Sequence, residues 1–326
     1  MNDTDRPKGF SGLTPDLVIS AVEEHLGVFL DGMVTPYNSY VNRVFGLADE
    51  DGNHFIAKFY RPGRWSADAI AEEHAFLADC AEAEVPVVPP LPSREGSTLA
   101  AVEGFRFAVF PRVRARTFDI TSDDDFTRLG RAVGRLHRAG RTRSAPHRLR
   151  CAPESTTARY IGDIEAAGLV HPDCRAEFAE CCDEALAIVA DRFAAVEPAS
   201  MHRIHGDLHR GNVLDSGSLT ILDFDDMMTG PAVQDLWMLL PGHMGDSRRE
   251  MNLLLEGYEE FADFDRATVA LVEPLRFMRH VYFLAWCAIQ RDDEGFDARF
   301  PGWGGRAFWI AEAEDLLAQL AILRGE

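Results

Sequence analysis

The sequence predicts a two-lobed α+β fold, with a small antiparallel β-rich N-terminal lobe and a larger, mainly helical C-terminal lobe. The chain has 326 residues, the length of about two domains. Short strand-like runs bounded by polar turns occupy the first third of the chain. Helical patterns dominate the rest, interrupted by one hairpin-like segment. This change of character divides the chain into residues 1–112 and 113–326.

The composition is that of a globular protein and disfavours several classes of partner. Hydrophobic residues make up 46% of the chain and charged residues 26%. The 33 basic and 53 acidic residues give a formal charge of −20, which disfavours nucleic acid and membrane surfaces as partners. We find no uninterrupted apolar run of about 20 residues and no apolar signal core at the N-terminus.

The six cysteines form no C-x-x-C pair and no zinc spacing. Disulfide scaffolds are shorter chains with a higher density of cysteine. We therefore expect reduced thiols and a cytoplasmic location. We also expect a monomer.

The N-terminal lobe is predicted to begin with a helical extension that Thr14-Pro15-Asp16 opens and Gly27 ends. A meander of three strands follows, joined by polar turns. The predicted elements after the extension are strands over residues 35–37, 43–48, 54–60 and 105–110 and one helix over residues 67–83.

The C-terminal lobe is predicted to open with a helix, because Ser122 and Asp125 have the spacing of a capping box. A second helix is predicted over residues 173–193. Two short strands then flank a turn at residues 215–218, and helical patterns resume to the end of the chain.

The segment from Arg203 to Asp225 carries the most informative residues. Asp207 and Asn212 lie five positions apart on a loop, and the following hairpin returns the chain so that Asp223 lies near Asn212. Three oxygen-bearing side chains then converge, which suits a hard cation such as Mg²⁺. Asp207 can also accept a proton from, or orient, an attacking hydroxyl group. This combined pattern predicts a phosphotransferase.

The same letters allow a rival interpretation, in which His205-x-Asp207-x-His209 is part of a zinc hydrolase site. Two histidines four residues apart bind one metal naturally on a helix, and Gly206 and Gly211 argue against a helix here. We therefore expect His205 to be a packed residue that pins the loop backbone, whereas the role of His209 stays open.

Lys58 is predicted to contact an anion. It lies in a strand that is apolar on both faces, and burying an unpaired ammonium group is costly. Glu73 on the following helix is its natural partner, although the spacing also allows Glu72. The alternative is that Lys58 snorkels at a strand edge.

Other residues could bind the rest of a nucleotide. No G-x-G-x-x-G precedes the strands, but the turn around Ser39 offers backbone N–H groups and a hydroxyl to a phosphate. The strand that ends at Pro111 would link the lobes and receive adenine on its main chain. Asp235 is placed to accept N–H bonds from the loop, or to act as a first-turn carboxylate favoured by the helix dipole.

The segment His205 to Asn212 reads His-Gly-Asp-Leu-His-Arg-Gly-Asn and resembles the catalytic loop of the aminoglycoside phosphotransferase and choline kinase branch of the protein-kinase-like fold. Several other segments resemble, in the same order, a bacterial serine/threonine kinase of this branch. These are residues 38–40, 42–44, 58–62, 72–74, 107–111, 230–240, 272–276 and 282–286. The resemblance covers nearly the full chain, and residues 151–170 match poorly.

The resemblance implies a kinase that uses Mg²⁺ and ATP to phosphorylate serine or threonine hydroxyls of proteins, and of itself, in a stress response. It places nucleotide binding in residues 1–112 and the catalytic loop and acceptor site in residues 113–326. Asp207 would be the proton acceptor, and Asp223 would be catalytic and, with Asn212, a metal ligand.

On the nucleotide side, the resemblance places Ser39 at the ATP phosphates and Lys58 holding them, with Glu73 as the partner of Lys58. Asp225 departs from the glycine that protein kinases usually have after Asp-Phe. One alternative keeps the fold and changes the acceptor to a small-molecule alcohol. Another is a nucleotide-binding scaffold without turnover, which the presence of Lys58, Asp207 and the two metal ligands disfavours.

Overall fold

A computed structural model describes residues 9–197, 200–293 and 295–326 of the chain. Its N-terminal part is an antiparallel sheet with the strand order β1-β2-β3-β5-β4, accompanied by two helices. The elements are α1 (Pro15–Leu26), β1 (Thr35–Tyr37), β2 (Arg43–Ala48), β3 (His54–Tyr60), α2 (Ala67–Glu82), β4 (Ala100–Val102) and β5 (Phe105–Pro111).

The C-terminal part is mainly helical and contains two small sheets, β10-β7 and β6-β8-β9. Its elements are β6 (Arg116–Thr117), α3 (Asp123–Gly140), α4 (Ala158–Ala166), α5 (Arg175–Ala194), β7 (Met201–Ile204), β8 (Val213–Asp215), β9 (Leu219–Ile221), β10 (Met228–Pro231), α6 (Val233–Trp237), α7 (Arg248–Glu259), α8 (Val272–Gln290), α9 (Phe296–Arg299) and α10 (Arg306–Arg324).

The predicted two-lobed α+β fold is confirmed, as are the three strands of the meander and the hairpin β8-β9. The predicted capping box also forms, because the backbone N–H of Ser122 donates to Asp125 Oδ2 at 3.0 Å. One helix start is wrong by two residues: α5 begins at Arg175 because residues 172–174 form a separate 3₁₀ turn. The division of the chain at residue 112 stays a prediction.

Strand β3 lies inside the sheet, between β2 and β5. Successive side chains of a strand point to opposite faces. Phe59 accordingly packs on the face covered by α1 and stacks on Phe107 with ring centroids 5.0 Å apart. Lys58 faces the opposite side, toward α2. Both faces of β3 are therefore covered, which explains why the strand has almost no polar positions.

Helices α3 and α7 cross closely enough that a side chain would not fit between them. A Cβ atom on Gly130 would lie 2.0 Å from the carbonyl oxygen of Leu254, and one on Gly257 would lie 2.0 Å from that of Thr127. This crossing puts His137 Nδ1 within 3.1 Å of the Tyr258 hydroxyl. It thereby fixes one side chain that supports the loop described below.

All six cysteines are buried and none forms a disulfide. Within the described ranges, the helices are too short or too polar to cross a lipid bilayer.

His74 of α2 makes the stability of the protein depend on pH. Its ring nitrogens lie 2.9 Å from the Tyr60 hydroxyl and 2.8 Å from the Thr98 hydroxyl. Burial, together with the charges of Lys58 and Arg148, lowers the pKa of His74 to about 3. Between that value and the ordinary pKa of about 6.5, the unfolded chain binds a proton that the folded chain does not.

Stability should therefore fall as the pH is lowered, and His74 should account for about 2 kcal/mol of the loss between pH 7 and pH 5. Urea unfolding at the two pH values measures this loss. We expect His74→Gln to reduce the loss, whereas His147→Gln, which changes an exposed histidine, should leave it unchanged. Equal losses in the wild type and His74→Gln would contradict this assignment.

Candidate active site

A cleft of about 520 Å³ opens between the sheet and the helical region. Residues from the β1-β2 turn, from β3 and α2, from the end of β5 and from the hairpin β8-β9 line it. They include Ser39, Val44, Ile56, Lys58, Glu73, Leu77, Phe110, Pro111, Val113, Leu214, Ile221 and Asp223. One wall is thus mostly aliphatic, and the other end carries charged groups.

Lys58 is the centre of the charged end. Its side chain is 10% exposed, and Nζ lies 3.5 Å from Glu73 Oε1, 3.2 Å from Asp223 Oδ1 and 3.1 Å from Asp225 Oδ1. Burial lowers the pKa of Lys58, but the carboxylates of Asp225, Glu73 and Asp223 outweigh burial and hold this pKa well above its ordinary value. Lys58 is therefore a fixed cation and does not snorkel to solvent.

The structure selects Glu73 from the two glutamates that the spacing allowed. Glu73 is buried beside Lys58, whereas Glu72 accepts a hydrogen bond from the backbone N–H of His147 at 3.0 Å. The predicted contact between Lys58 and Glu73 is therefore confirmed.

Asp225 belongs to a buried ion-pair network that the sequence did not predict. Arg64 Nε lies 3.2 Å from Asp225 Oδ2, on the side away from Lys58. Burial raises the pKa of Asp225, but the cations Lys58, Arg64 and Arg148 lower it below its ordinary value. The carboxylate that replaces the usual glycine thus joins the sheet, through Lys58, to the segment after β9.

Arg148 supports the same segment from behind. Its guanidinium donates to the backbone carbonyls of Met227 at 2.8 Å and Ala69 at 3.4 Å, and it also contacts the carbonyl of Asp225. The ring of Trp65 stacks 4.0 Å from the guanidinium carbon. One buried side chain therefore ties α2 to the segment that follows Asp223.

Asp223 has an unusual backbone conformation. Its φ of 60° and ψ of 69° lie in the left-handed region, which aspartate tolerates better than most residues. Phe224 is buried in the core, while the Asp223 side chain is 58% exposed at the cleft. The backbone N–H of Leu222 donates to the carbonyl of Asn212 at 2.9 Å. The hairpin therefore brings the Asn212 and Asp223 segments together as predicted.

Asn212 is oriented by the loop that contains Asp207. Its Nδ2 donates to the backbone carbonyl of Asp207 at 3.0 Å, so its Oδ1 is the atom that remains for a cation. An amide oxygen and the Asp223 carboxylate, completed by water and phosphate oxygens, form a donor set that Mg²⁺ accepts. The side chains present therefore fit a divalent cation bound together with a phosphate.

Asp207 is not among the residues that line the cleft, and it is paired with Arg279 of α8. Arg279 Nη2 lies 2.7 Å from Asp207 Oδ1, and His209 Nε2 lies 3.9 Å from Oδ2. Burial raises the pKa of Asp207, and the Arg279 charge opposes that rise. The sequence did not predict the partner Arg279, which lies far along the chain.

The backbone of this loop is held by one buried carboxylate. Asp235 accepts the N–H of His205 at 2.7 Å and of Gly206 at 2.8 Å, and lies 2.9 Å from His137 Nε2. Burial raises the pKa of Asp235, but these donors lower it below its ordinary value. Gly206 has φ +85°, and a Cβ there would lie 2.3 Å from the carbonyl oxygen of Asp226. The predicted acceptor role of Asp235 is confirmed.

His205 uses both ring nitrogens within the loop. Asp207 N–H donates to Nδ1 at 3.2 Å, so Nε2 carries the proton and donates to the Leu222 carbonyl at 2.8 Å. The expected backbone-pinning role of His205 is confirmed. The zinc interpretation is wrong, because His205 has no nitrogen left for a metal. The described residues also contain no group of three or more His, Cys, Asp or Glu side chains placed to hold one.

Ser39 lies on the turn that lines the cleft opposite Asp223. Neighbouring residues hold this turn: Asn42 Oδ1 accepts the backbone N–H of Arg61 at 3.1 Å, and the Tyr40 ring packs 5.6 Å from that of Trp286. Ser39, Lys58, Glu73 and Asp223 thus share one cleft, and Asn212 and Asp207 lie on the loop that precedes β8.

Residues 34–272 match the phosphotransferase enzyme family, which covers more than half of the chain. The chain belongs to this family. It is also 40% identical over 319 residues to stress response kinase A of Escherichia coli K12. The aligned residues make up 97% of this chain and 95% of that kinase. Serine/threonine protein kinase RdoA of Salmonella typhimurium LT2 is 39% identical over 318 residues, covering 96% of this chain and 94% of RdoA.

Solved structures of kinases share the fold. Amicoumacin kinase hAmiN, solved with AMP-PNP, Ca²⁺ and Ami, has a TM-score of 0.74 at 18% identity and covers 92% of each chain. The microcompartment-associated aminopropanol kinase has a TM-score of 0.68 at 19% identity and covers 95% of this chain and 97% of that one. These comparisons confirm the resemblance and the protein-kinase-like fold.

Asp235 should be the residue on which the conformation of the loop depends most strongly. Asp235→Ala leaves two backbone N–H groups and His137 without their acceptor in the interior. We expect a loss of about 3–5 kcal/mol in the free energy of unfolding, measured by denaturant titration. Asp235→Asn keeps one acceptor oxygen and should lose less. The exposed Asp246→Ala serves as the control, and equal stability of the two alanine variants would contradict the role of Asp235.

Proposed function

We propose that this protein transfers the γ-phosphoryl group of Mg-ATP to serine and threonine hydroxyls of proteins. The observation that carries the proposal is a cleft that holds Lys58, its partner Glu73 and Asp223, with the Asp207–Asn212 loop hydrogen-bonded to the segment that carries Asp223. Membership of the phosphotransferase family supports the reaction. The names of the two bacterial relatives support a protein acceptor and a role in a stress response.

The nucleotide side of the reaction uses residues of the cleft. The aliphatic wall and the main chain at the end of β5 would receive adenine, and Lys58 would hold phosphate oxygens while Glu73 keeps its ammonium in place. Asn212 Oδ1 and the Asp223 carboxylate would hold the cation, which when bound neutralises charge on the phosphates. Ser39 and the backbone of its turn would cover the phosphates.

The acceptor side centres on Asp207. A carboxylate whose pKa is raised by burial is a better proton acceptor at neutral pH than an exposed one. Arg279 Nη2 lies against Oδ1, which leaves Oδ2 to orient the attacking hydroxyl and take its proton.

A small-molecule alcohol is the second candidate acceptor. A mostly apolar cavity of about 70 Å³ adjoins Gly206 and is lined by Tyr160, Met278, Arg279 and Tyr282. It would hold a small alcohol, or an apolar side chain next to the acceptor hydroxyl. Arg279, 2.7 Å from Asp207, repels ammonium groups and so disfavours an amine-bearing acceptor.

We propose further that the protein is a cytoplasmic monomer and that it does not bind nucleic acid.

Transfer of label from γ-labelled ATP tests the reaction. Purified protein is assayed alone, with a generic acidic protein and with a generic basic protein. We expect label on serine or threonine, and a loss of about 10²–10⁴-fold in Asp207→Asn with nucleotide binding retained, because only the proton acceptor is removed. Asp223→Ala should weaken Mg-ATP binding as well.

The exposed Asp246→Asn serves as the matched control and should keep wild-type activity. Near-wild-type transfer by Asp207→Asn would contradict the role of Asp207. ATP consumption that needs an alcohol-bearing metabolite and leaves protein unlabelled would move the assignment to a small-molecule kinase.

Arg279 should set a charge preference at the acceptor site. Peptides with an acidic residue beside the serine should be phosphorylated more efficiently than the same peptides with a lysine there. In Arg279→Gln, the ratio of kcat/KM for the acidic peptide to kcat/KM for the lysine peptide should fall about tenfold, because the charge that repels lysine is removed. Arg276→Gln on the same helix, where the arginine pairs with Glu273, should leave the ratio unchanged. An unchanged ratio in Arg279→Gln would contradict this role.

A further inference from the structure

Residues 126–153 form a basic segment in an acidic protein. They contain eight arginines and no aspartate or glutamate, although the whole chain has a formal charge of −20. In helix α3 some of these arginines have carboxylate partners, as Arg128 has Asp125 and Arg131 has Glu260. The arginines that follow α3 have few such partners, and they are concentrated around one cavity.

This cavity has a volume of about 490 Å³ and lies where the end of α3 meets β7 and β10. None of the described residues that line it is acidic. Its arginines are Arg141, Arg143, Arg148, Arg150 and Arg203. We call it the arginine cavity.

The inner arginines are already satisfied. Arg203 is buried and donates to the carbonyls of Gly140 at 3.2 Å and Ala139 at 3.1 Å. Arg141 donates to the carbonyl of Asp263 at 2.7 Å. Arg148 is engaged with the carbonyls already described. These hydrogen bonds fix the positions of the guanidinium groups. Arg203 also pairs with Asp79 at 2.7 Å and Arg148 with Glu73 at 4.0 Å, so part of the inner positive charge is already balanced.

The outer arginines are available to a ligand. Arg143 is 64% exposed and reaches only Asp79, at 3.1 Å, a carboxylate that it shares with Arg203 at 2.7 Å. In the part of the chain that the structure describes, the exposed Arg150 guanidinium has no acceptor within hydrogen-bonding or ion-pair distance. Arg143 and Arg203 thus share one carboxylate, so the outer side of the cavity carries more positive than negative charge.

We propose that the arginine cavity binds a phosphate group, either free phosphate or a phosphorylated side chain. Guanidinium groups present several N–H donors in a plane and bind phosphate oxygens in pairs. Ser144 also lines the cavity, and its hydroxyl group is a further potential donor. The formal charge of −20 on the whole chain repels an extended polyanion. A single phosphate interacts mainly with the nearby arginines, because salt screens the more distant charges.

His202 also lines the cavity but adds no charge to it. Its Nδ1 lies 3.3 Å from the carbonyl oxygen of Ser200. Burial and the neighbouring His137 and Arg141 lower the pKa of His202 to about 3, so the ring is neutral near pH 7. The arginines therefore carry the attraction for the anion.

The arginine cavity is separate from the nucleotide cleft, because the two share no lining residue. They are connected through Arg148, which lines the cavity and donates to the carbonyl of Met227, four residues after Asp223. Phosphate binding at the cavity can thus be tested without assuming the proposed kinase activity.

Isothermal titration with inorganic phosphate at constant ionic strength tests the proposal. The test variant is Arg143→Gln/Arg150→Gln, which changes the two exposed arginines of the cavity. The matched control is Arg135→Gln/Arg138→Gln, which removes the same charge from the same basic segment outside the cavity. Thermal unfolding of both double variants checks that each is folded.

We expect the wild type and the control to bind phosphate alike, and the cavity variant to bind at least tenfold more weakly. Equal phosphate binding by the cavity variant and the wild type would overturn the proposal, because the bound phosphate would then lie elsewhere, for example at Lys58. No binding by the wild type at millimolar phosphate and no binding of a phosphoserine peptide would also overturn it.

A phosphoserine peptide and its unphosphorylated form distinguish the source of the phosphate. Tighter binding of the phosphopeptide than of free phosphate would identify a phosphorylated side chain as the ligand, and equal binding would identify phosphate itself. Either result supports a phosphate site, provided that the ligand binds more weakly to the cavity variant than to the wild type. Equal binding of the phosphorylated and unphosphorylated peptides, together with no binding of free phosphate, would contradict it.

Discussion

The buried ammonium group of Lys58 is the constraint on which the rest of the cleft depends. An ammonium group stays charged in the interior only if carboxylates surround it, and removing one partner of such a cluster is costly. The partners of Lys58 come from two places: Glu73 from helix α2, and Asp223 and Asp225 from the segment after β9. The sheet, α2 and the hairpin must therefore keep their mutual positions for the charge to be balanced. Arg64 and Arg148 complete the balance around Asp225.

In the helical region, a buried charged group with hydrogen-bonding partners likewise holds the loop that carries Asp207. One buried carboxylate, Asp235, accepts two successive backbone N–H groups and contacts His137, whose helix crosses α7 through glycine contacts. The loop backbone is thus fixed by hydrogen bonds before any ligand binds. Fixed dipoles and side chains need no rearrangement at the moment of reaction, which is how preorganised sites lower a barrier. Asp223 reaches the site differently, through a left-handed backbone conformation.

The sequence predicted the features that depend on local spacing, such as the three-stranded meander, the hairpin β8-β9 and the contact between Lys58 and Glu73. Lys58 and Glu73 could be paired because an apolar strand and the next helix leave the ammonium few other partners. Strands β6, β7 and β10 were missed because they have only two to four residues and pair with segments far along the chain, with no hairpin turn to mark them. The three-residue strand β4 was missed as well. The arginine partners were missed for another reason. Arg148 and the Asp225 carbonyl are 77 positions apart, and Arg64 and Asp226 are 162 apart, so no periodicity relates them. Only the folded chain reveals which arginine meets which carboxylate.

The most direct test of this account is a crystal structure with a non-hydrolysable ATP analogue and Mn²⁺, whose position anomalous scattering reveals. We predict that Lys58 Nζ keeps its contact with Glu73 while it binds a phosphate oxygen. The metal should lie against Asn212 Oδ1 and the Asp223 carboxylate, with Asp207 outside its coordination sphere. Phosphates bound away from Lys58, or a metal held by Asp225 in place of Asp223, would contradict the central role of the Lys58 cluster.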